Sequence, residues 1–399
     1  MPSFLVLLFI YVLSQFYRSF LAVIASDLAR DIGVDTAALG TISAAWFVAF
    51  ALAQFGVGFA LDRLGPRWTL SGLTLFAVAG AGWLSAATSF AGCVAAMSLI
   101  GIGCAPALMA SMYLFARTQP PHRFALLSST LIGLGSVGNI LCATPLALAA
   151  AAFGWRASIL MIAGLTVVGA LFAALALRDP PRLAAEGGQG ALLAGLARVA
   201  RIRALWPIIP IVCLSYAVVI ASRSLWIAPF LRDTHGLDPT GIGNAALAMS
   251  VAMSVGALLF GPAERLFGAK PTVLAGTTVC VAAFLTLGLL GERSLPLAVA
   301  LFTLIGLSGG TYAILMAHAR DFIPPALLGR GVTFLNVGFI GGAGLLQWGS
   351  GIFVRASEAA GLAAPAIFER LHLAYGVMLG AAVAVYVLAP RAAAEPARA

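Results

Sequence analysis

Charge is what this 399-residue chain has least of: 9% of its residues are charged, while 61% are hydrophobic. Soluble globular domains carry about a quarter charged residues. With a mean hydropathy of +1.03, a single soluble domain is excluded. Lysine is nearly missing, Lys270 standing alone among 23 basic residues. Those basic residues are spread singly over short polar segments, which argues for membrane orientation and against nucleic acid. The five cysteines (Cys93, Cys104, Cys142, Cys213, Cys280) lie in apolar runs with no CxxC, and so read as small core residues. There is no GxxxxGK[ST], HExxH or Ser-His-Asp spacing, so neither ATP hydrolysis nor another enzymatic activity is expected, and no cofactor. Gly133, Gly135 and Gly138 satisfy GxGxxG, but inside an apolar run with no preceding strand. They are expected to form a close-packing helix face.

What is present in quantity is long apolar runs. Bounded by charge, Gly and Pro, they predict helices at about 3–25, 37–60, 68–88, 90–115, 124–150, 154–177, 204–231, 241–263, 271–290, 295–318, 328–354 and 366–389. Each meets the roughly 20 residues a bilayer requires, and none shows the alternation of barrel strands. The first run lacks a basic leader and a cleavage site, so it is expected to be a span and not a signal peptide. Twelve spans put both termini on one side. With the loop after the second span inside, 15 basic residues fall on that side and six on the other, which predicts cytoplasmic termini in a multi-pass protein of a cytoplasmic membrane. Alanine richness and the near-absence of lysine suggest a GC-rich bacterial gene.

The longest hydrophilic stretch, 178–203, begins at Arg178-Asp-Pro-Pro and reads as a linker between two six-helix bundles, 1–177 and 204–399. Within it, Leu192, Leu193, Leu196 and Val199 have the spacing of a surface helix at the lipid headgroups, or they belong to a plain tether. An internal repeat supports the division. Tyr11 and Arg18-Ser19 recur 205 positions on as Tyr216 and Arg223-Ser224, and Gly135 and Gly138 recur 203 positions on as Gly338 and Gly341.

After the second span the chain reads Gly58-Phe-Ala-Leu-Asp62-Arg63-Leu-Gly65-Pro66-Arg67. Asp62 is placed to meet basic groups or a helix end, and Gly65 to allow a tight turn. This segment resembles the GxxxDRxGRR loop of the major facilitator superfamily, with Pro66 where a basic residue often stands. The resemblance implies an all-α membrane protein of twelve helices in two pseudo-symmetric bundles. It also implies alternating access and a conformational latch at Gly58, Asp62, Arg63, Gly65 and Arg67. The second-half counterpart, Glu264 to Lys270, is degenerate.

Arg18 and Arg223 are the candidates for substrate chemistry. Each sits nine residues before an outer charge, Asp27 or Arg232, hence about 13 Å deep at 1.5 Å per residue. A mid-membrane arginine costs about 2.5–3.5 kcal/mol on insertion scales and faces a partner or a cavity. No acidic residue lies at that depth, so the pair reads as an anion clamp, with fold bracing as the alternative. Tyr11 and Gln15 share a helical face with Arg18, and Tyr216 with Arg223. The expected solute is a small organic or inorganic anion, moved as a monomer by exchange or with a proton. Met249 and Met253, four apart, keep open a soft-metal importer, and a neutral-metabolite importer or a non-transporting scaffold are further alternatives.

Overall fold

The computed structural model describes residues 2–119, 121–180, 196–324 and 327–390. Among the described residues eleven helices are long and apolar enough to cross a bilayer, and one bent pair, taken as a single span, raises the count to twelve. They are α1 (Ser3–Tyr17 with Leu21–Ile32), α2 (Ala37–Leu61), α3 (Arg63–Ala86), α4 (Phe90–Phe115), α5 (Thr130–Phe153) and α6 (Trp155–Ala176). The second six are α7 (Arg203–His235), α8 (Pro239–Phe267), α9 (Ala269–Arg293), α10 (Leu295–Arg320), α11 (Gly331–Ala359) and α12 (Ala364–Val387). Side-chain caps start several of them: Asp35 accepts from Ala38 N at 2.8 Å and Asp238 from Gly241 N at 3.0 Å. The first span differs from expectation. It does not stop near residue 25 but bends by 49° after Tyr17 and continues to Ile32, where Gly33 closes it at φ 70.

Several spans are interrupted near their middles. α1 breaks across Arg18–Phe20, α4 at Ala105, α5 at Cys142–Ala143 and α10 at Gly309–Thr311, and α7 carries one π turn, Ser222–Trp226. Irregular backbone at membrane depth is tolerated only where it is buried in protein or lines a cavity. The interruptions therefore mark the inward-facing parts of α1, α4, α5, α7 and α10. Both sequence-singled arginines fall inside them.

The repeat is visible in the backbone. Gly33 and Gly236 (φ 70 and 67) and Gly65 and Gly268 (φ 83 and 85) are the same left-handed positions, 203 residues apart. Two of the three glycines of the expected α5 face pack on α1: a Cβ on Gly135 would stand 2.3 Å from the Tyr11 ring and one on Gly138 2.0 Å from the Val12 carbonyl oxygen, whereas Gly133 faces open space. The second-half equivalent needs correction. Gly341 faces open space, and it is Gly342 whose Cβ would meet the Cys213 carbonyl oxygen at 2.2 Å. The pairing of Gly138 is thus with the next residue along.

Residues 181–195 lie outside the described chain, and with them Leu192 and Leu193. Val199, read as part of a surface helix at the lipid headgroups or of a plain tether, is instead fully buried, in one cluster with Leu205, Ile208 and Ile211 at the start of α7. The cysteines are unpaired; Cys93, Cys104, Cys142 and Cys280 are buried and Cys213 half-buried, as small core residues are.

The first six and last six spans meet along a seam running from mid-membrane to the face away from the chain's ends, called the far face below. There Ser43 of α2 donates to Gln347 of α11, Thr144 donates to Asn244 at 2.9 Å, and Asp35 faces Arg355 at 3.6 Å. Gln347, fully buried, also reaches Ser224 of α7 at 3.3 Å. Above this seam the far face holds a cavity of about 230 Å³ lined by Ala25, Asp35, Arg232, Asp233, Ile242 and Glu358 among others.

Candidate functional site

Arg18 leaves α1 where the helix breaks and crosses to the other six spans. Its Nη1 donates to the Tyr216 hydroxyl at 3.0 Å. Three rings face the guanidinium: Trp46 and Phe50 at 5.5 Å and Tyr216 at 6.0 Å from the carbon centre to each centroid. Trp46 and Phe50, four residues apart on α2, stack with centroids 5.0 Å apart. The Tyr11 and Tyr312 phenols lie within Coulombic reach of the same charge. Tyr312 donates to Asn336 at 2.9 Å, and its ring packs on Phe339 at 4.5 Å. Arg18 Nε is buried without a partner, as is the Gln15 side-chain oxygen. Arg18, Tyr216, Tyr312 and Asn336 are each partly exposed, whereas Tyr11, Gln15, Trp46 and Phe50 are buried.

Arg223 sits differently. It is 3% exposed. Its Nε donates to Ser250 at 3.0 Å, and its Nη2 to the Asn139 carbonyl at 2.8 Å and the Cys142 sulfur at 3.4 Å. Asn139 in turn accepts from Ser19, next to Arg18, at 3.4 Å. Only the Nη1 edge is left without a partner. Among the described residues neither arginine has an acidic neighbour; the four ion pairs are all at span ends or in loops.

The two arginines share no bonding partner. The capping glycines repeat at 203 positions and the arginines at 205, and two residues turn a helix by about 200°. Measured against the backbone repeat, Arg223 therefore points a different way from Arg18. Arg18 enters an aromatic box and Arg223 braces the seam. Sequence reasoning named Tyr11, Gln15 and Tyr216 but missed Trp46, Phe50, Tyr312 and Ser250. The i, i+4 aromatic pair on α2 was the available signal for the first two.

Near the start of α3 the helix is kinked at Gly65, which takes φ 83 and ψ 166, and regular helix resumes from Pro66. Asp179, from the beginning of the linker, accepts from the Arg67 backbone N–H at 2.8 Å and caps α3 from 112 residues away. A Cβ on Gly65 would stand 2.5 Å from that carboxylate, so glycine is required by space as well as by φ. Asp179 thus supplies this helix-end contact; the Asp62 side chain, expected to meet basic groups or a helix end, lies outside the described residues. Arg63 lies over Phe59 at 4.4 Å and Arg67 over Trp68 at 4.7 Å. A Cβ on Gly58 would meet nothing within 4 Å. In the second half Lys270 donates to the Val387 and Ala389 carbonyls, at 2.7 and 2.6 Å, and closes the end of α12.

Met249 and Met253 both pack on Gly306 across the α8–α10 seam, their Cγ atoms 3.1 and 3.2 Å from where its Cβ would be. Among the described residues no group of three or more His, Cys, Asp or Glu is placed to hold a metal ion.

The sequence profile of the major facilitator superfamily matches residues 7–230, more than half of the chain. The chain belongs to the major facilitator superfamily. It is therefore a secondary transporter working by alternating access, with the all-helical membrane fold of that superfamily. No curated relative matches it in sequence. Among solved structures it is similar to a D-xylose–proton symporter (TM-score 0.80, 15% identity, 99% of each chain). It is also similar to a nucleoside transporter (TM-score 0.78, 15% identity, 96% of this chain and 98% of that one). A third is a bacterial homologue of the human lysosomal transporter Spinster, solved inward-facing and unoccupied (TM-score 0.74, 18% identity, 97% and 96%). At these identities the likeness concerns the superfamily fold, whose members put interrupted helices from both repeats around a mid-membrane site.

Proposed function

We propose that this transporter moves a small organic or inorganic anion across the bacterial cytoplasmic membrane, with Arg18 as the charge that holds it. The observation carrying this reading is the environment of Arg18. A guanidinium at mid-membrane has one phenol and three ring faces about it, a buried Nε without a partner, and no carboxylate among the described residues. Such a charge is tolerated at that depth when something of opposite sign visits it. Arg223 adds its one unpartnered Nη1 edge to the clamp, while its Nε and Nη2 brace the seam. Tyr11, Gln15 and Tyr216 surround the ligand.

The two six-helix units, 1–177 and 204–399, rock about this point, joined by the 178–203 linker on the cytoplasmic side with both termini. The Gly58–Arg67 loop acts as the latch, anchored in the present conformation to Asp179 at the start of the linker. Exchange for a second anion, or symport with a proton, drives transport in a monomer.

The test is the thermal stability of the purified protein against carboxylates, phosphate, sulfate, nitrate, Cu(I) and flavins. A ligand at 100 times its dissociation constant stabilises by about 2.7 kcal/mol. The reading expects a shift with an anion that vanishes in Arg18→Gln. A shift with Cu(I) or a flavin alone, or an anion shift that survives in Arg18→Gln, overturns it.

A further inference from the structure

We infer that the anion is a flat aromatic monocarboxylate, a deduction that rests on the reading of Arg18 as the substrate's charge partner. The first argument is a count of donors. Arg223 has its Nε and Nη2 committed to Ser250, Asn139 and Cys142, and Arg18 has one Nη1 bond to a phenol that an incoming acceptor displaces. Of the two, Arg18 alone presents a fork, an unpartnered Nε beside its second Nη, that fits one carboxylate. A phosphate dianion or a dicarboxylate requires a second uncommitted cation. Arg223 brings only its single Nη1 edge and not a second fork, and an unpaired carboxylate left against ring faces is heavily penalised.

The second argument is shape. Ring faces from both units line the guanidinium: the stacked Trp46 and Phe50 on one, and Tyr216, 6.2 Å from Tyr312, on the other. A ring conjugated to its carboxylate is planar. It can meet the edge of Arg18 in plane while its faces lie against these walls, the stacked or edge-to-face geometry that favours aromatic pairs beyond area burial. The Tyr216 hydroxyl, released from Arg18, then donates to the second carboxylate oxygen. Tyr312, partly exposed and bonded to Asn336, offers its ring to the far end of the ligand.

The experiment is isothermal titration of the full-length protein in detergent with benzoate, cyclohexanecarboxylate, succinate and inorganic phosphate. It compares wild type, Arg18→Gln and the conservative Phe50→Leu, with Trp46→Leu as a second probe of the same wall. Benzoate is expected to bind about three- to tenfold more tightly than its saturated analogue, the span of one aromatic contact. That preference should fall toward one in Phe50→Leu and Trp46→Leu while overall binding survives, and both acids should be lost in Arg18→Gln. Equal binding of benzoate and cyclohexanecarboxylate overturns the aromatic assignment. Arg18-dependent binding of succinate or phosphate without benzoate overturns the substrate class but keeps the anion reading. No anion binding that depends on Arg18 overturns the anion reading itself.

Discussion

Arg223 is the residue whose removal separates a lock from a brace. Across the seam it makes one short charge-assisted bond, to the Asn139 carbonyl at 2.8 Å, and a weak one to Cys142 at 3.4 Å. A hydrogen bond from a charged group contributes about 1.5–3 kcal/mol. Opening the far face separates these partners and gives Arg223 water instead. In Arg223→Met, the far-face-open population should rise by that amount, about 10- to 150-fold. The same substitution removes a buried cation that costs about 2.5–3.5 kcal/mol to hold at mid-membrane. The two effects nearly cancel in global stability, so the melting temperature in detergent should change little. The assay is the labelling rate of Ala25→Cys by a water-soluble thiol reagent. Ala25 lines the far-face cavity yet is 2% exposed, and the five native cysteines are buried or half-buried. A labelling rate within twofold of the unsubstituted background would refute the argument.

Other expectations follow from single contacts. Gly138→Ala and Gly342→Ala should each lower the melting temperature, by the about 1–3 kcal/mol of overpacking, whereas Gly341→Ala, with open space, should be neutral or stabilising by up to about 1 kcal/mol. Equal effects at all three positions would contradict the packing. Asp179→Ala should cost about 0.5–2 kcal/mol through the lost cap on α3, read as a lower melting temperature; an unchanged one would show the contact to be idle. Arg355→Ala removes an ion pair whose side chains are 68% and 49% exposed, so stability should change by less than about 1 kcal/mol, and a larger fall would show the seam to depend on it.

The architecture was legible in the sequence because a bilayer sets a length, and twelve apolar runs of that length have few other interpretations. The Gly58–Arg67 loop carried the superfamily, and the profile match agrees. The interruptions were not legible. Arg18-Ser19 and Arg223-Ser224 read as plain helix, and only tertiary bonds to Tyr216, Asn139 and Ser250 make a break and a π turn stable there. A matched pair of arginines at 205 positions suggested matched roles, yet the capping glycines repeat at 203, a difference that changes the side chain's direction. The cap on α3 escaped notice because Asp179 is 112 residues from Arg67. Val199 looked amphipathic because spacing alone does not tell lipid from the core of α7 and its neighbours.

The central claim is that Arg18 is the charge a transported anion meets. Counterflow in sealed vesicles tests it most directly: protein preloaded with an unlabelled anion on one side takes up the labelled one from the other. The account predicts counterflow of an aromatic monocarboxylate by the wild type and none by Arg18→Gln, with Arg223→Gln also inactive. Undiminished anion counterflow by Arg18→Gln would contradict it.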